Sequence, residues 1–247
     1  MRSTVSRLAN RILNPAGLEL RRIRRDLPHY PMIDVFKLCA EDLRRRTPRP
    51  FVLQIGANDG VVNDPVHDLI MNYDLPALLV EPHPVAFQKL SEVYSRKEHV
   101  VTLNVAIGVA DHDSAPFYVP DDELVASVPR THRLCSFSRE QLLQALKGVG
   151  VANAEDRIAT INVPTKSIAS LLKANDLHHI DILQIDVEGY DWKVLSQFNT
   201  RESGISLINM EFFSIQTFEQ RDCVTQLSAA GYQLSHFHGD LIAYLAA

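Results

Sequence analysis

The stretch Val52-Leu-Gln-Ile-Gly-Ala-Asn-Asp-Gly60 decides which fold we expect. Its apolar start is typical of a buried strand, and it continues directly into a loop of small and polar residues. Gly56 and Gly60 let the backbone approach a ligand at the carboxyl end of that strand, where open α/β sheets bind their ligands. The spacing is neither GxGxxG nor a P-loop, which disfavours a pyrophosphate ligand. We predict instead an amino acid moiety whose charged ends face Asn58 and Asp59, although Asn-Asp-Gly is also an ordinary turn sequence.

From residue 51 onward, short apolar runs alternate with amphipathic stretches, the pattern of repeated βα units around a mostly parallel sheet. The predicted strands are residues 51–55, 77–80, 100–105, 182–185 and 205–210, and the predicted helices are residues 34–46, 66–73, 85–96, 168–175, 192–198 and 218–230. Two further β-prone runs, 232–237 and 241–245, flank Gly239 and predict a terminal hairpin. A terminal hairpin disfavours a dinucleotide dehydrogenase, because proteins of that class usually continue with further βα units instead.

Residues 106–166 interrupt this rhythm with several prolines, several acidic residues and one helix-like run at 139–147. Long excursions beside a ligand crevice commonly carry contacts to the substrate. We therefore predict that this segment recognises the substrate and closes over it.

The ends of the second and third predicted strands supply further candidates for ligand contacts. Glu81 stands roughly twenty residues beyond the glycine loop, where Rossmann-like folds place the carboxylate that binds ribose hydroxyls. A helix-entry acid before Pro82 is the simpler interpretation of the same residue. Asn104 and Ala106 suit a slot for a flat adenine edge, although an ordinary strand end has the same composition. We predict Glu81, Pro82, Asn104 and Ala106 as cofactor contacts.

Three acids follow the fourth and fifth predicted strands. Asp186 and Glu188 should reach the same sheet edge as Gly56 and Glu81, where mutual repulsion and lost solvation raise the pKa of a carboxyl toward the range of a general base. We predict both as catalytic residues and Asp186 also as a cofactor contact; the alternative is that Asp186 only caps the next helix. Glu211 is predicted to contact the substrate. Together with Asp186 it also offers oxygens suited to magnesium, but we predict no bound metal.

Taken in order, the motifs resemble those of the FkbM family of methyltransferases. They are Gln54-Ile-Gly-Ala-Asn-Asp-Gly60, Val80-Glu-Pro-His-Pro84, Asn104-Val-Ala-Ile-Gly108, Cys135-Ser-Phe137 and Gln184-Ile-Asp-Val-Glu-Gly189. The resemblance runs from about Phe51 to the C-terminus and implies an α/β, Rossmann-like class I methyltransferase fold. It also implies S-adenosylmethionine as cofactor, O-methylation of a sugar, glycan intermediate or polyketide-like small molecule, and Ser136 as a substrate contact. Gln54 departs from the family pattern, because many relatives have an acid there.

Charge divides the chain into a basic N-terminal helical extension, residues 1–50, and a methyltransferase domain, residues 51–247. The extension carries 12 Lys or Arg against 5 Asp or Glu, which leaves a net charge of -12 for the rest. So acidic a body disfavours nucleic acid as a partner. Val5, Leu8 and Ile12 lie at helical spacing and predict a basic amphipathic helix. That helix either rests on an anionic membrane surface or packs on its own domain or a second subunit.

The remaining expectations concern compartment and competing functions. The three cysteines form no CxxC pair, no run is long enough to span a membrane, and no secretory signal is evident, so we expect a cytoplasmic protein. A nicotinamide-dependent oxidoreductase is disfavoured by the missing GxGxxG. The other alternative, a non-catalytic methyltransferase-like assembly subunit, is disfavoured by the intact glycine loop and the acids at the sheet edge.

Overall fold

The computed structural model describes residues 33–128, 131 and 133–246. The strands are β1 (Val52–Ile55), β2 (Ala77–Val80), β3 (Val100–Leu103), β4 (Ala106–Ile107), β5 (His112–Pro120), β6 (Ile158–Lys166), β7 (Ile182–Ile185), β8 (Leu207–Glu211), β9 (Gln233–Phe237) and β10 (Asp240–Tyr244). Seven of them form one sheet in the order β3-β2-β1-β7-β8-β10-β9. The first five of this order pair in parallel, and β10 is antiparallel to both neighbours. The predicted parallel sheet with a terminal hairpin is confirmed.

The described α-helices are α1 (Val35–Arg46), α2 (His67–Tyr73), α3 (Pro84–Tyr94), α4 (Asp122–Ser127), α5 (Arg139–Gly148), α6 (Ile168–Ala174), α7 (Asp191–Leu195) and α8 (Thr217–Ala229). Six of them cover the two faces of this sheet, whereas α4 and α5 pack against each other in a separate cluster. Strand residues alternate between two cores: Val52 packs with α1, α2 and α3, whereas Leu53 packs with α6, α7 and α8. The described helices include none that is long and apolar enough to cross a membrane.

Helix α1 belongs to the first of these cores. It begins after Asp34, whose carboxylate accepts the N–H of Lys37 at 3.0 Å. Phe36, Ala40 and Leu43 are buried against the sheet. The predicted extension includes α1, whose apolar face packs in the core of the described domain. The predicted basic helix near Val5 lies outside the described residues.

The excursion at residues 106–166 contains regular structure that the sequence analysis did not identify. Strands β4, β6 and β5 form a second sheet in that order, with a core that includes Phe117, Val119 and Val163. Pro116 and Pro164 obscured the strand pattern, because proline removes a backbone donor and argues against a strand interior. The segment is therefore built on a small sheet, and its role toward a substrate stays a prediction.

Most predicted boundaries agree with the structure to within two residues. The largest difference is at α7, which ends at Leu195 rather than residue 198. Differences of two residues occur at the end of the third strand, which is Leu103 rather than residue 105, at the end of α3 and at the start of β8. Asn104 leaves the sheet because its side chain bonds the loop after β2. Helix α7 stops where the N–H of Ser196 bonds the carbonyls of both Trp192 and Val194.

The packing of α1 predicts unequal effects for two substitutions on the same helix. Phe36 is 4% exposed and Leu38 is 58% exposed. Phe36→Ala should lower the free energy of unfolding by about 3 to 5 kcal/mol, whereas Leu38→Ala should change it by less than about 0.5 kcal/mol. Urea unfolding measures both. Equal effects would contradict the burial of α1 in this core.

Candidate functional site

The site begins where β1 and β7 end side by side. Their register pairs Ile55 with Ile185, and Gly56 then turns at a φ of 83°. A Cβ at Gly56 would lie 1.8 Å from the carbonyl oxygen of Asp186. Because any side chain at this position collides with backbone, only glycine lets the two strand ends approach so closely. The N–H of Gly56 also bonds the carbonyl of Val80 at 2.9 Å, which ties in the end of β2.

A pocket of about 260 Å³ opens at this edge of the sheet. Nine of the predicted site residues line it: Gly56, Asn58, Glu81, Pro82, Ala106, Ser136, Asp186, Glu188 and Glu211. The sheet therefore brings together residues that lie far apart in the sequence. Their individual chemical roles stay predictions.

Asp59 and Gly60 do not line this pocket. The carboxylate of Asp59 accepts the N–H groups of Val61 and Val62 at 3.1 and 3.0 Å, so it closes its own turn. Gly60 faces α3, where a Cβ would lie 2.5 Å from Cδ1 of Leu90. Both residues shape the loop after β1, and contact of either one with a ligand stays a prediction.

Glu81 links the loops after β1 and β2. Its carboxylate accepts the N–H groups of Asn58 and His83, both at 2.8 Å. Burial raises the pKa of Glu81 to about 7, against the effect of these two bonds. Asn104 does not line the pocket, but its Nδ2 donates to the carbonyls of Glu81 and Pro82 at 2.8 and 2.9 Å. Asn104 thus supports the residues that do line the pocket.

Asp186 and Glu188 lie in the most acidic part of the pocket. Lost solvation of the carboxyl group and the nearby Glu211 raise the pKa of Asp186 to about 7, although the residue as a whole is exposed. The same causes, with Asp186 added, raise the pKa of Glu188 to about 9. A carboxyl whose pKa lies near neutral pH can take up or release a proton under cellular conditions, as a general base must.

Asp191 organises the loop that carries these acids. Its two carboxylate oxygens accept the N–H groups of Val187 and Gly189 at 3.1 and 3.0 Å. This arrangement holds Glu188 at a φ of 53°, a left-handed conformation that is uncommon outside glycine. One carboxylate oxygen each of Asp186, Asp191 and Glu211 lies within 4.8 Å of the others. The spacing permits a metal ion, but the backbone bonds already account for the placement of Asp191.

Arg133 is a pocket residue that the sequence analysis missed. It lines the pocket, and its charge opposes the rise in the pKa of Asp186 and of Glu188. It lies in the excursion, away from any strand end of the main sheet, so no motif pointed to it. Its guanidinium offsets part of the repulsion among the acids.

Ser136 lies between this pocket and a second cavity of about 660 Å³. Its Oγ donates to Oε1 of Gln141 and accepts the N–H of Ser138, both at 3.1 Å. Its backbone pairs with Tyr118 of β5. Cys135, Ser136 and Glu188 line both cavities.

The strand order, the glycine turn after β1 and the acids after β2 and β7 define a Rossmann-like class I methyltransferase fold. Residues 54–247 match the model of the methyltransferase FkbM domain. The chain belongs to this family of methyltransferases.

Comparison with solved structures found distant similarities. The FkbM methyltransferase of Methylobacillus flagellatus is 13% identical with a TM-score of 0.48, and the match covers 80% of this chain and 44% of that one. The precorrin-6y C5,15-methyltransferase of Geobacter metallireducens is 10% identical with a TM-score of 0.40, over 89% and 94% of the two chains. The fibrillarin pre-rRNA processing protein of Methanococcus jannaschii is 11% identical with a TM-score of 0.39, over 79% and 66%. A search of curated proteins found no match.

The raised pKa of Glu188 predicts a pH-dependent stability. In the unfolded chain this carboxyl ionises at a lower pH than in the folded protein, so its contribution to stability is lost as the pH rises toward about 9. Glu188→Gln removes this loss. Its Tm should exceed that of the wild type by a few degrees at about pH 8.5 and by less at about pH 5. Glu98→Gln, at an exposed position, is the control and should track the wild type. A pH-independent difference in Tm would contradict the assignment.

Proposed function

We propose that this chain is an S-adenosylmethionine-dependent O-methyltransferase whose acceptor is a hydroxyl group of a sugar, a glycan intermediate or a polyketide-like small molecule. The observation that carries the proposal is the junction of the two cavities, since Cys135, Ser136 and Glu188 line both. A donor in the pocket and an acceptor in the second cavity would meet at this junction, close to Asp186.

From the order of the strands we infer where each part of the methyl donor binds. Strands β3, β2, β1 and β7 lie side by side, and a pocket residue follows the carboxyl end of each: Ala106, Glu81, Asn58 and Asp186 respectively. We assign adenine to Ala106, with Pro82 beside it, and the ribose hydroxyls to Glu81. The amino acid moiety then lies along the loop that begins at Gly56. This order brings the reactive end of the donor toward Asp186.

Unpaired buried acceptors and an apolar wall make the pocket fit such a ligand. Oε1 of Gln54 and Oδ1 of Asn58 are buried without a hydrogen-bond partner, and both residues line the pocket. Ile107 and Phe117 line its apolar part. A ligand with a flat apolar group and a donor-rich polar group matches both features.

The acids at the junction can take up the proton that the acceptor hydroxyl loses. When bound, the cofactor supplies an electrophilic methyl group. Asp186 would accept the hydroxyl proton, and transfer of the methyl group from sulfur to that oxygen would yield a methyl ether and S-adenosylhomocysteine. Glu188 stays protonated at neutral pH because its pKa is about 9, so its O–H can donate a hydrogen bond to the acceptor. Glu211 and Ser136 help to orient the acceptor.

The lining of the second cavity favours an uncharged acceptor. Its polar residues are mostly hydroxyls and amides: Ser136, Ser138, Gln141, Gln144, Ser214 and Gln216. Its only residues with an ionisable carboxyl group are Glu140 and Glu188, and the described lining includes no Lys or Arg. Phe213, which is 69% exposed, offers a ring face at the rim. Hydroxyl-rich molecules suit this lining, whereas phosphates and carboxylates would be repelled.

A paired acceptor screen tests the function directly. The protein is incubated with S-adenosylmethionine and either a neutral sugar or its phosphate ester, and formation of S-adenosylhomocysteine is measured. We expect turnover with neutral acceptors and at least about 10-fold less with the matched phosphates. Cofactor binding without turnover across the screen would favour the non-catalytic alternative. Binding of NAD but not S-adenosylmethionine would favour the oxidoreductase.

Two variants separate the proposed roles of the edge acids. Asp186→Asn should lower kcat by about 10²- to 10⁴-fold with little change in the Kd of the donor, and it should remove the rise of wild-type kcat as the pH passes about 7. Glu81→Ala should mainly raise the Kd and KM of the donor. Steady-state kinetics and calorimetry measure both effects. Equal loss of turnover and binding in each variant would show that the roles are misassigned.

A further inference from the structure

Three side-chain oxygens near the loop after β1 are buried without a hydrogen-bond partner. They are Oε1 of Gln54, Oδ1 of Asn58 and Oδ2 of Asp64, and all three residues line the first pocket. A buried acceptor that stays unpaired costs about 1 to 3 kcal/mol. Three such acceptors on one wall indicate that the wall receives a group rich in donors.

Only one of the two carboxylate oxygens of Asp64 accepts hydrogen bonds from the described residues. Oδ1 accepts the N–H groups of Val66 and His67 at 2.8 and 3.1 Å, just before and at the start of α2. Gln54, which is 3% exposed, lies beside the same carboxyl group, and its amide opposes the rise in the pKa of Asp64 that burial causes. The described residues supply no hydrogen-bond partner for Oδ2.

The charge at this wall selects the kind of group that fits. The wall offers one carboxyl group and two amide oxygens, and the described residues that line the pocket include a single Arg or Lys, Arg133. Arg133 acts on Asp186 and Glu188 and is not among the charges that shift the pKa of Asp64. A carboxylate or phosphate placed here would face acceptors alone. A primary ammonium group has three donors and the opposite charge.

We propose that Asp64 binds the ammonium group of the amino acid moiety of the methyl donor, with Gln54 and Asn58 as further acceptors. This inference rests on the proposed function. It also accounts for Gln54, which stands where many relatives have an acid: in this chain the negative charge comes from the loop that follows. Asp64 is then a binding residue that no strand-end motif indicated.

Calorimetry with two ligands that differ in the amino acid moiety tests the proposal. S-adenosylhomocysteine carries this moiety and 5′-methylthioadenosine lacks it. Asp64→Asn keeps an oxygen for the N–H groups of Val66 and His67 but removes the charge. We expect this variant to lower the affinity for S-adenosylhomocysteine by about 10- to 100-fold and to leave the affinity for 5′-methylthioadenosine unchanged. Asp68→Asn, at an exposed residue of α2 that pairs with Lys37, is the control and should change neither.

A charge exchange makes the test independent of folding. In the double variant Gln54→Glu, Asp64→Asn the carboxyl and the amide change places, so affinity for S-adenosylhomocysteine should return to within a few-fold of the wild type. Thermal unfolding of each variant verifies the fold. Three outcomes would overturn the proposal. Asp64→Asn weakens the binding of both ligands equally, or it leaves the affinity for S-adenosylhomocysteine unchanged, or the double variant does not recover that affinity. If the wild type binds neither ligand, the proposed function itself fails.

Discussion

The close approach of two strand ends at Gly56 is the constraint on which the site depends. The position that a Cβ would occupy is only 1.8 Å from the carbonyl oxygen of Asp186, so the loops after β1 and β7 share space that a side chain would fill. The N–H groups of Gly56 and Ala57 both bond the carbonyl of Val80, which brings in the end of β2. Three loops distant in sequence therefore converge on one pocket because one residue has no side chain.

Electrostatics at this edge oppose folding and make chemistry possible. Asp186, Glu188, Glu211 and Asp191 lie close together at this edge, where lost solvation and neighbouring acids raise the pKa of each. Ionised together they would repel, and the charge of Arg133 offsets part of this repulsion at Asp186 and Glu188. Lost solvation first, and the neighbouring acids second, raise the pKa of Asp186 to about 7. A site that costs stability in this way is typical of functional rather than structural acids.

Much of the fold and part of the site followed from the sequence, and the reasons differ. Short, mostly apolar runs between clear turn signals located β1, β2 and β7, and every residue of these strands is buried. Parallel strands end at one edge, so Gly56 and Asp186 could be placed together without coordinates. The small sheet of β4, β5 and β6 was missed because its prolines mask the strand pattern. Arg133 and Asp64 were missed because loops, not strands, carry them to the pocket, and loop paths depend on tertiary contacts.

A crystal structure with S-adenosylhomocysteine tests the central claim most directly. The account predicts adenine beside Ala106, the ribose hydroxyls within hydrogen-bonding distance of Glu81, and the thioether sulfur turned toward Asp186. An adenosyl group bound away from the edge formed by Gly56, Glu81 and Asp186 would contradict it.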